Sequence, residues 1–246
     1  MTVATPGPAQ AILAGAQAEY MTEALPATSN GALAADASHS GNLGELLKGK
    51  SVLAVGPGLG TEAETQEVIR GLVERAELPV VLDADGLNAF VGAAERLAQR
   101  KRHPLVVTPH PGEMARLLKR STATVQADRV EAAKKAARQW DAHVVLKGFH
   151  TIVASPGGEI FVNTTGNAGL GKGGTGDVLT GVLAALISQF GTADLARVVA
   201  LGVYLHGLAA DLLELQSDAS GILASEVAEA IPYARRRLVQ ELQGRE

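Results

Sequence analysis

The sequence predicts an α/β fold, with a mostly parallel sheet covered by helices on both faces. Two observations carry this. Short β-branched runs at residues 51–55 (SVLAV), 79–83 (PVVLD), 104–108 (PLVVT) and 143–147 (HVVLK) alternate with helical patterns near 61–77, 87–99, 112–119 and 125–139. Alternation of this kind builds a parallel sheet through helical crossovers. The four runs are also continuously apolar rather than alternating, as expected of strands buried on both faces.

Taken in order, the chain opens on MTVATP, which has only Thr2 to Thr5 before Pro6. Residues 8–25 are Ala-rich and read as a helix. After the four strand–helix units come two more strand patterns, 151–154 (TIVA) and 159–163 (EIFVN), around the hairpin signal SPGG at 155–158. Three helices follow, near 176–189, 193–215 and 224–242. With no linker, low-complexity tract or internal repeat, residues 1–246 read as one domain.

Hydrophobic residues make up 46% of the chain but aromatics only 3%, so the core is expected to be Ala, Val, Leu and Ile. The formal net charge of −4 does not suggest the basic face of a nucleic-acid binder. The absence of cysteine excludes disulfides, thiolate metal sites and a cysteine nucleophile, and fits a reducing cytoplasm. No apolar run reaches the length of a membrane span, and the first residues lack the basic-then-apolar pattern of a secretion signal.

Ligands of open α/β sheets bind beyond the carboxyl ends of the strands. The polar segments gather there: GPGLG (56–60), DADGLN (83–88), TPHPGE (108–113) and KGFHT (147–151) each follow a strand. The stretch NTTGNAGLGKGGTGDVLTG, from Asn163 to Gly181, holds seven glycines and runs into a helix. Residues 166–173 approach a P-loop but place Gly173 where the Mg²⁺-binding hydroxyl belongs. Residues 171–176 fit GxGxxG, yet a dinucleotide pyrophosphate there would meet Asp177. A third reading suits the aspartate. Gly173, Gly174 and Gly176 open a nest of N–H donors that can stabilise a phosphoryl group. Asp177, at the same helix start, can then accept a proton from an attacking hydroxyl. Asp83 and Asp85 can serve either the site at the strand ends or as caps for the helix at Leu87, and Asn88 can be a polar residue of its first turn.

GxGD at a helix start late in an α/β chain resembles the ribokinase-like superfamily. Together with DADGLN, TPHPGEMARLL, VVLKGFHTIV and the glycine loop, it resembles the nucleotide-dependent NAD(P)H-hydrate dehydratases from about Thr2 to the C-terminal helix. The resemblance implies a three-layer αβα sandwich with a mostly parallel central sheet. It implies a lyase that uses ADP or ATP, with Mg²⁺, to return the S epimers of the hydrates NADHX and NADPHX to NADH and NADPH. The ring hydroxyl would be phosphorylated and phosphate then lost. On this resemblance Asp177 is the catalytic residue and faces the hydrate hydroxyl. Lys147, Gly148, Phe149, His150 and Thr151, with Gly173, Gly174 and Gly176, bind the nucleotide. Gly60 and His110 contact the hydrated dinucleotide, and Glu113 organises Mg²⁺ indirectly, with His110 standing where the superfamily pattern has Asn. The resemblance also implies a cytoplasmic homo-oligomer, such as a tetramer, and functional pairing with an NAD(P)H-hydrate epimerase. Chains of the family begin with a further βα unit. This one is therefore expected to be N-terminally shortened, with an apolar gap near Val3 and a more open dinucleotide side. A ribokinase-like small-molecule kinase and a non-catalytic nucleotide-binding remnant are the alternative readings.

Overall fold

The computed structural model describes residues 1–39, 42–100 and 102–244. In chain order the elements are β1 (Thr2–Pro6), α1 (Gly7–Ala14), β2 (Met21–Leu25), α2 (Asp36–His39), α3 (Asn42–Leu47), β3 (Leu53–Val55), α4 (Ala63–Arg75), β4 (Val80–Leu82) and α5 (Asp85–Asn88). Then come β5 (Leu105–Val107), α6 (Pro111–Leu117), α7 (Thr122–Ala127), α8 (Arg129–Trp140), β6 (His143–Leu146), β7 (Ile152–Ala154), β8 (Ile160–Val162), α9 (Thr175–Phe190), α10 (Leu195–Glu214) and α11 (Ala224–Gln243).

Six strands form one sheet in the order β3-β4-β5-β6-β7-β8. β3 to β6 are parallel, β7 pairs antiparallel with β6, and β8 pairs antiparallel with β7 through the SPGG turn, where Gly158 N–H meets the Ser155 carbonyl at 3.0 Å. The strand period of two divides each apolar run between two cores. Val80, Leu82, Leu105, Val107, Val144 and Leu146 pack against α4 to α8, around Ile69, Phe90, Met114 and the fully buried Trp140. Val81, Val106, Val145 and Val153 face the other way, onto α9 and α10 through Leu183, Ile187 and Val199. α11 closes a third cluster against α9 and α10. The result is the expected αβα sandwich, with aliphatic cores. α10 has the length and apolar composition of a membrane span, but more than half of it is buried between α9 and α11.

Three expectations are corrected. The helix expected over 8–25 ends at Ala14, and residues 21–25 form β2, which pairs in parallel with all of β1 from Thr2↔Met21 to Pro6↔Leu25. β1 thus finds a full-length partner, because backbone pairing outweighs the helical propensity of an Ala-rich segment. The helix expected over 87–99 is broken into the short α5 and a 3₁₀ turn at Ala94–Gln99, with Gly92 at φ +86° between them. The helix expected over 125–139 is two, because Asp128 leaves the helical region and caps α8 by accepting the Glu131 N–H at 2.9 Å.

β1 and β2 form a sheet of their own, and it packs on α4 through the small cluster of Leu25, Leu33, Ala37 and Val68. None of the residues of α1 is buried. Stability should therefore be unequal across the molecule. Ile12→Ala, at a side chain that is 75% exposed, should change unfolding free energy by less than about 0.5 kcal/mol. Ile69→Ala, at a fully buried one, should cost about 2–5 kcal/mol, both read from urea denaturation.

Candidate active site

The carboxyl ends of β3, β4, β5 and β6 lie along one edge of the sheet, and the start of α9 meets them there. The first contact is between backbones. Gly56 follows β3 at φ +135°, and a Cβ there would stand 1.8 Å from the Asp83 carbonyl oxygen. Only glycine lets GPGLG lie this close to DADGLN. The Asp83 N–H donates to the Val55 carbonyl at 3.1 Å, and its own carbonyl accepts from Gly86 at 2.9 Å.

The Asp83 side chain is 1% exposed, and both oxygens are engaged. Oδ1 lies 2.7 Å from Lys147 Nζ, and Oδ2 accepts the Thr180 hydroxyl at 2.7 Å. Lys147 begins the KGFHT segment after β6, and its amine lies 3.3 Å from where a Gly176 Cβ would stand. Next along α9 is the exposed Asp177. Desolvation first and the Asp83 charge second push the Asp177 carboxyl up from its ordinary range, while Lys147 pulls it down. The setting therefore raises the proton affinity of the Asp177 carboxylate. The cap roles open to Asp83 and Asp85 give way to others. Asp85 accepts the Gly60 N–H at 2.9 Å and the Asn88 amide at 3.1 Å, so it ties the end of GPGLG to α5. Asn88 in turn accepts from Arg116 of α6 at 2.9 Å.

His110 caps α6. Its Nδ1 accepts the N–H groups of Gly112 and Glu113 at 3.0 and 3.4 Å. Glu113 completes the capping box by accepting the His110 N–H at 2.8 Å. The Glu113 carboxylate, expected near Mg²⁺, is thus already occupied within its own helix start, and the His110 ring stays half exposed. Among the described residues no group of three or more His, Asp or Glu is arranged to hold a metal ion.

The KGFHT segment is held from behind by Arg129 of α8. Its guanidinium donates to the carbonyls of Leu146 at 3.1 Å, Lys147 at 3.3 Å and Phe149. Gly148 packs on that guanidinium, and Thr151 donates to the Gly148 carbonyl at 3.0 Å. His150 adopts φ +54°, with the exposed Phe149 ring stacked on it at 4.0 Å between centroids. Left-handed backbone at a non-glycine residue persists only where surrounding contacts hold it.

The glycine loop is anchored to α10. Asp211 accepts the Gly166 N–H, Asn167 donates to the Ala210 carbonyl at 2.9 Å and Thr165 to the Tyr204 carbonyl at 2.8 Å. Lys172 donates to the carbonyls of Ser220 and Ile222, so its amine does not serve the nest as a P-loop lysine would. Gly174 is the N-cap of α9 at φ +88°, and Gly173 faces open space. His206 of α10 is buried and bonds the Thr175 carbonyl at 2.9 Å through Nε2.

The structure thus brings Lys147, Gly174, Gly176 and Asp177 to one place, with Gly173 beside them, and sets Gly60 and His110 on the neighbouring loops. Thr180, Arg129, Asp211 and His206 were missed as parts of this site, and Asp83 was left open. Asp83 alone left a signal, an acid directly after a buried strand.

A family model described as NAD(P)H-hydrate dehydratase matches residues 1–233. The chain belongs to the NAD(P)H-hydrate dehydratase family. A bifunctional NAD(P)H-hydrate repair enzyme of Moorella thermoacetica is 43% identical over 99% of the chain, which spans only 45% of that protein. An ADP-dependent (S)-NAD(P)H-hydrate dehydratase of Neisseria meningitidis is 44% identical over 76% of the chain and 64% of its own length. Among solved structures, the ADP/ATP-dependent NAD(P)H-hydrate dehydratase of Bacillus subtilis, co-crystallised with ATP and Mg²⁺, superposes with a TM-score of 0.78 at 29% identity, over 96% of this chain and 78% of that one. A ribokinase-like superfamily protein of Enterococcus faecalis, 24% identical with a TM-score of 0.77, over 96% of this chain and 76% of that one, shares the fold. The sandwich of this family member is therefore ribokinase-like.

Burial holds the His206 pKa down at about 4, so the ring is neutral in the folded protein and charges on unfolding below its ordinary value. Between about pH 6.5 and 4 the unfolded chain binds more protons at this position, and stability falls as pH falls. His206→Gln should flatten that loss, seen as a smaller difference between urea midpoints at pH 7 and pH 5 than in the parent protein.

Proposed function

We propose that this chain performs nucleotide-dependent dehydration of (S)-NADHX and (S)-NADPHX, restoring NADH and NADPH. The observation that carries the reading is the meeting of Lys147, the N–H nest at Gly174 and Gly176, and the base Asp177 at the carboxyl edge of the sheet. Lys147, Gly148, Phe149, His150 and Thr151, with Gly173, Gly174 and Gly176, form the nucleotide side. Gly60, His110 and Asp177 form the dinucleotide side. ADP is the favoured phosphoryl donor, in keeping with relatives described as ADP-dependent, and ATP is the second.

In the proposed reaction the ring hydroxyl of the hydrate attacks the terminal phosphorus of the nucleotide. Asp177 takes the hydroxyl proton as the new O–P bond forms and the bond to AMP (ADP, when ATP is the donor) breaks. The nest and the Lys147 ammonium meet the charge that develops on the phosphoryl oxygens. The ring nitrogen then expels phosphate as the C–O bond breaks. The adjacent ring carbon loses its proton, and the dihydropyridine double bond is restored. The carboxylates present fit a Mg²⁺ carried mainly by nucleotide phosphates, the usual arrangement for this ion, with Glu113 acting only indirectly from its helix cap. When bound, the ion would neutralise phosphate charge.

We place this activity in the cytoplasm, in a homo-oligomer up to a tetramer and in functional partnership with an NAD(P)H-hydrate epimerase. The description of longer relatives as bifunctional repair enzymes supports the last point. Incubation with hydrated NADH, ADP and Mg²⁺ should restore dihydronicotinamide absorbance together with one AMP per turnover. Nucleotide binding without any recovery of absorbance would sink the reading.

Asp177→Asn should lower kcat by about 10²–10⁴-fold with ADP affinity little changed. Because the Asp177 carboxyl is raised, the acid limb of kcat/KM in the parent should lie above the ordinary value of 3.8. A limb at or below that value would remove Asp177 from the base role. Gly174→Val places a β-branched residue at φ +88° with its Cβ about 3.1 Å from the Ala224 Cβ. It should raise the ADP dissociation constant at least about tenfold in titration calorimetry, whereas normal binding would show that the phosphate sits elsewhere.

A further inference from the structure

We propose that Asp83 is a positioning residue for this reaction: its buried carboxylate holds the Lys147 amine against the opening turn of α9 and, through Thr180, fixes that turn to the sheet edge. The inference rests on Lys147 serving the nucleotide.

The pair joins strands that are not neighbours. β5 lies between β4 and β6, so Lys147 reaches across the end of β5 to meet Asp83. Alternate strands stand about 9–10 Å apart, a span a lysine side chain can bridge only when extended. An unrestrained lysine must give up rotamer freedom to be held in one position. Here one of its three protons is given to a fixed acceptor, and two remain for phosphate oxygens.

The acceptor is fixed because its backbone is. The Asp83 carbonyl is pressed against Gly56 and bonded to Gly86, and its N–H is bonded to Val55. Oδ2 takes the hydroxyl of Thr180, one helical turn beyond Gly176, and that hydroxyl also lies 3.2 Å from the Gly176 carbonyl. One carboxylate therefore sets the lysine and the phosphate nest relative to each other.

Stability alone is a poor reason for such a pair. Buried ion pairs often contribute little compared with apolar packing of the same volume. Nothing in the two hydrophobic cores needs a charge at this point, whereas a phosphate site needs a lysine that is both charged and aimed.

The test is a double-mutant cycle on the full chain, read by calorimetric ADP binding with Mg²⁺ and by steady-state turnover. Lys147→Met and Asp83→Asn should each raise the ADP dissociation constant about ten- to hundredfold, with KM for the hydrate within about twofold of the parent. The double variant Asp83→Asn/Lys147→Met should be no weaker than Lys147→Met alone, because Asp83 acts through the lysine. It also removes both charges together, so it should fold even where Asp83→Asn does not. Thr180→Val, which leaves the ion pair in place, should weaken ADP binding about threefold or more. If Lys147→Met binds ADP normally, the assignment of Lys147 to the nucleotide falls, and this inference with it. If Lys147→Met is impaired but the Asp83→Asn loss multiplies on top of it, or Asp83→Asn binds normally, only the positioning role is overturned. Unchanged ADP binding in Thr180→Val overturns the link to α9.

Discussion

A carboxylate that water does not reach must find partners for both oxygens, and at Asp83 that requirement organises the molecule around it. Its partners are Lys147, directly after β6, and Thr180 of α9, residues 64 and 97 positions further along the chain. The two loops that follow β3 and β4 close on it backbone to backbone, which only glycine at position 56 allows. A lysine from one strand, a helix start from the far side of the sheet and two neighbouring turns are thereby held in a single arrangement.

The cores explain how that arrangement is carried. Each short parallel strand is shared between two hydrophobic clusters, so its position is constrained from both faces. Rigid strands place the residues that follow them with little freedom, and rigidly held supports are what a site of this kind needs. The loops are then tied individually: Gly60 to Asp85, the KGFHT carbonyls to Arg129, and the start of the glycine loop to Asp211. The Asp177 carboxyl has a different environment. Asp177 stands at the start of α9, where desolvation first and the Asp83 charge second raise its proton affinity while Lys147 lowers it.

Sequence reasoning reached the layer architecture, the four parallel strands, the hairpin and the helix that opens at the glycine loop. These follow from local patterns: apolar runs of strand length, SPGG, and glycines before an apolar helix. It failed where local and tertiary preferences conflict. Residues 21–25 look helical in isolation, but β1 needs a backbone partner and takes them as a strand. Asp83 and Asp85 look like helix caps because acids before a helix usually are, yet both side chains serve distant groups. Glu113 is the converse. Read as a metal organiser by resemblance, it is held in a capping box with His110 that its spacing alone would have allowed.

What the sequence determined by itself was the set of elements and the chemistry available at their ends. Periodicity, turn residues and glycine clustering act over a few neighbouring positions. Which of those ends meet was decided only by the tertiary structure. The pairing of Asp83 with Lys147 across β5, of Thr180 with the same carboxylate, and of Arg129 with the carbonyls of Leu146, Lys147 and Phe149 depends on strand order and on how α8 and α9 pack. Buried polar groups must be satisfied by whatever the fold brings near, and that neighbour is rarely one written close by in the chain.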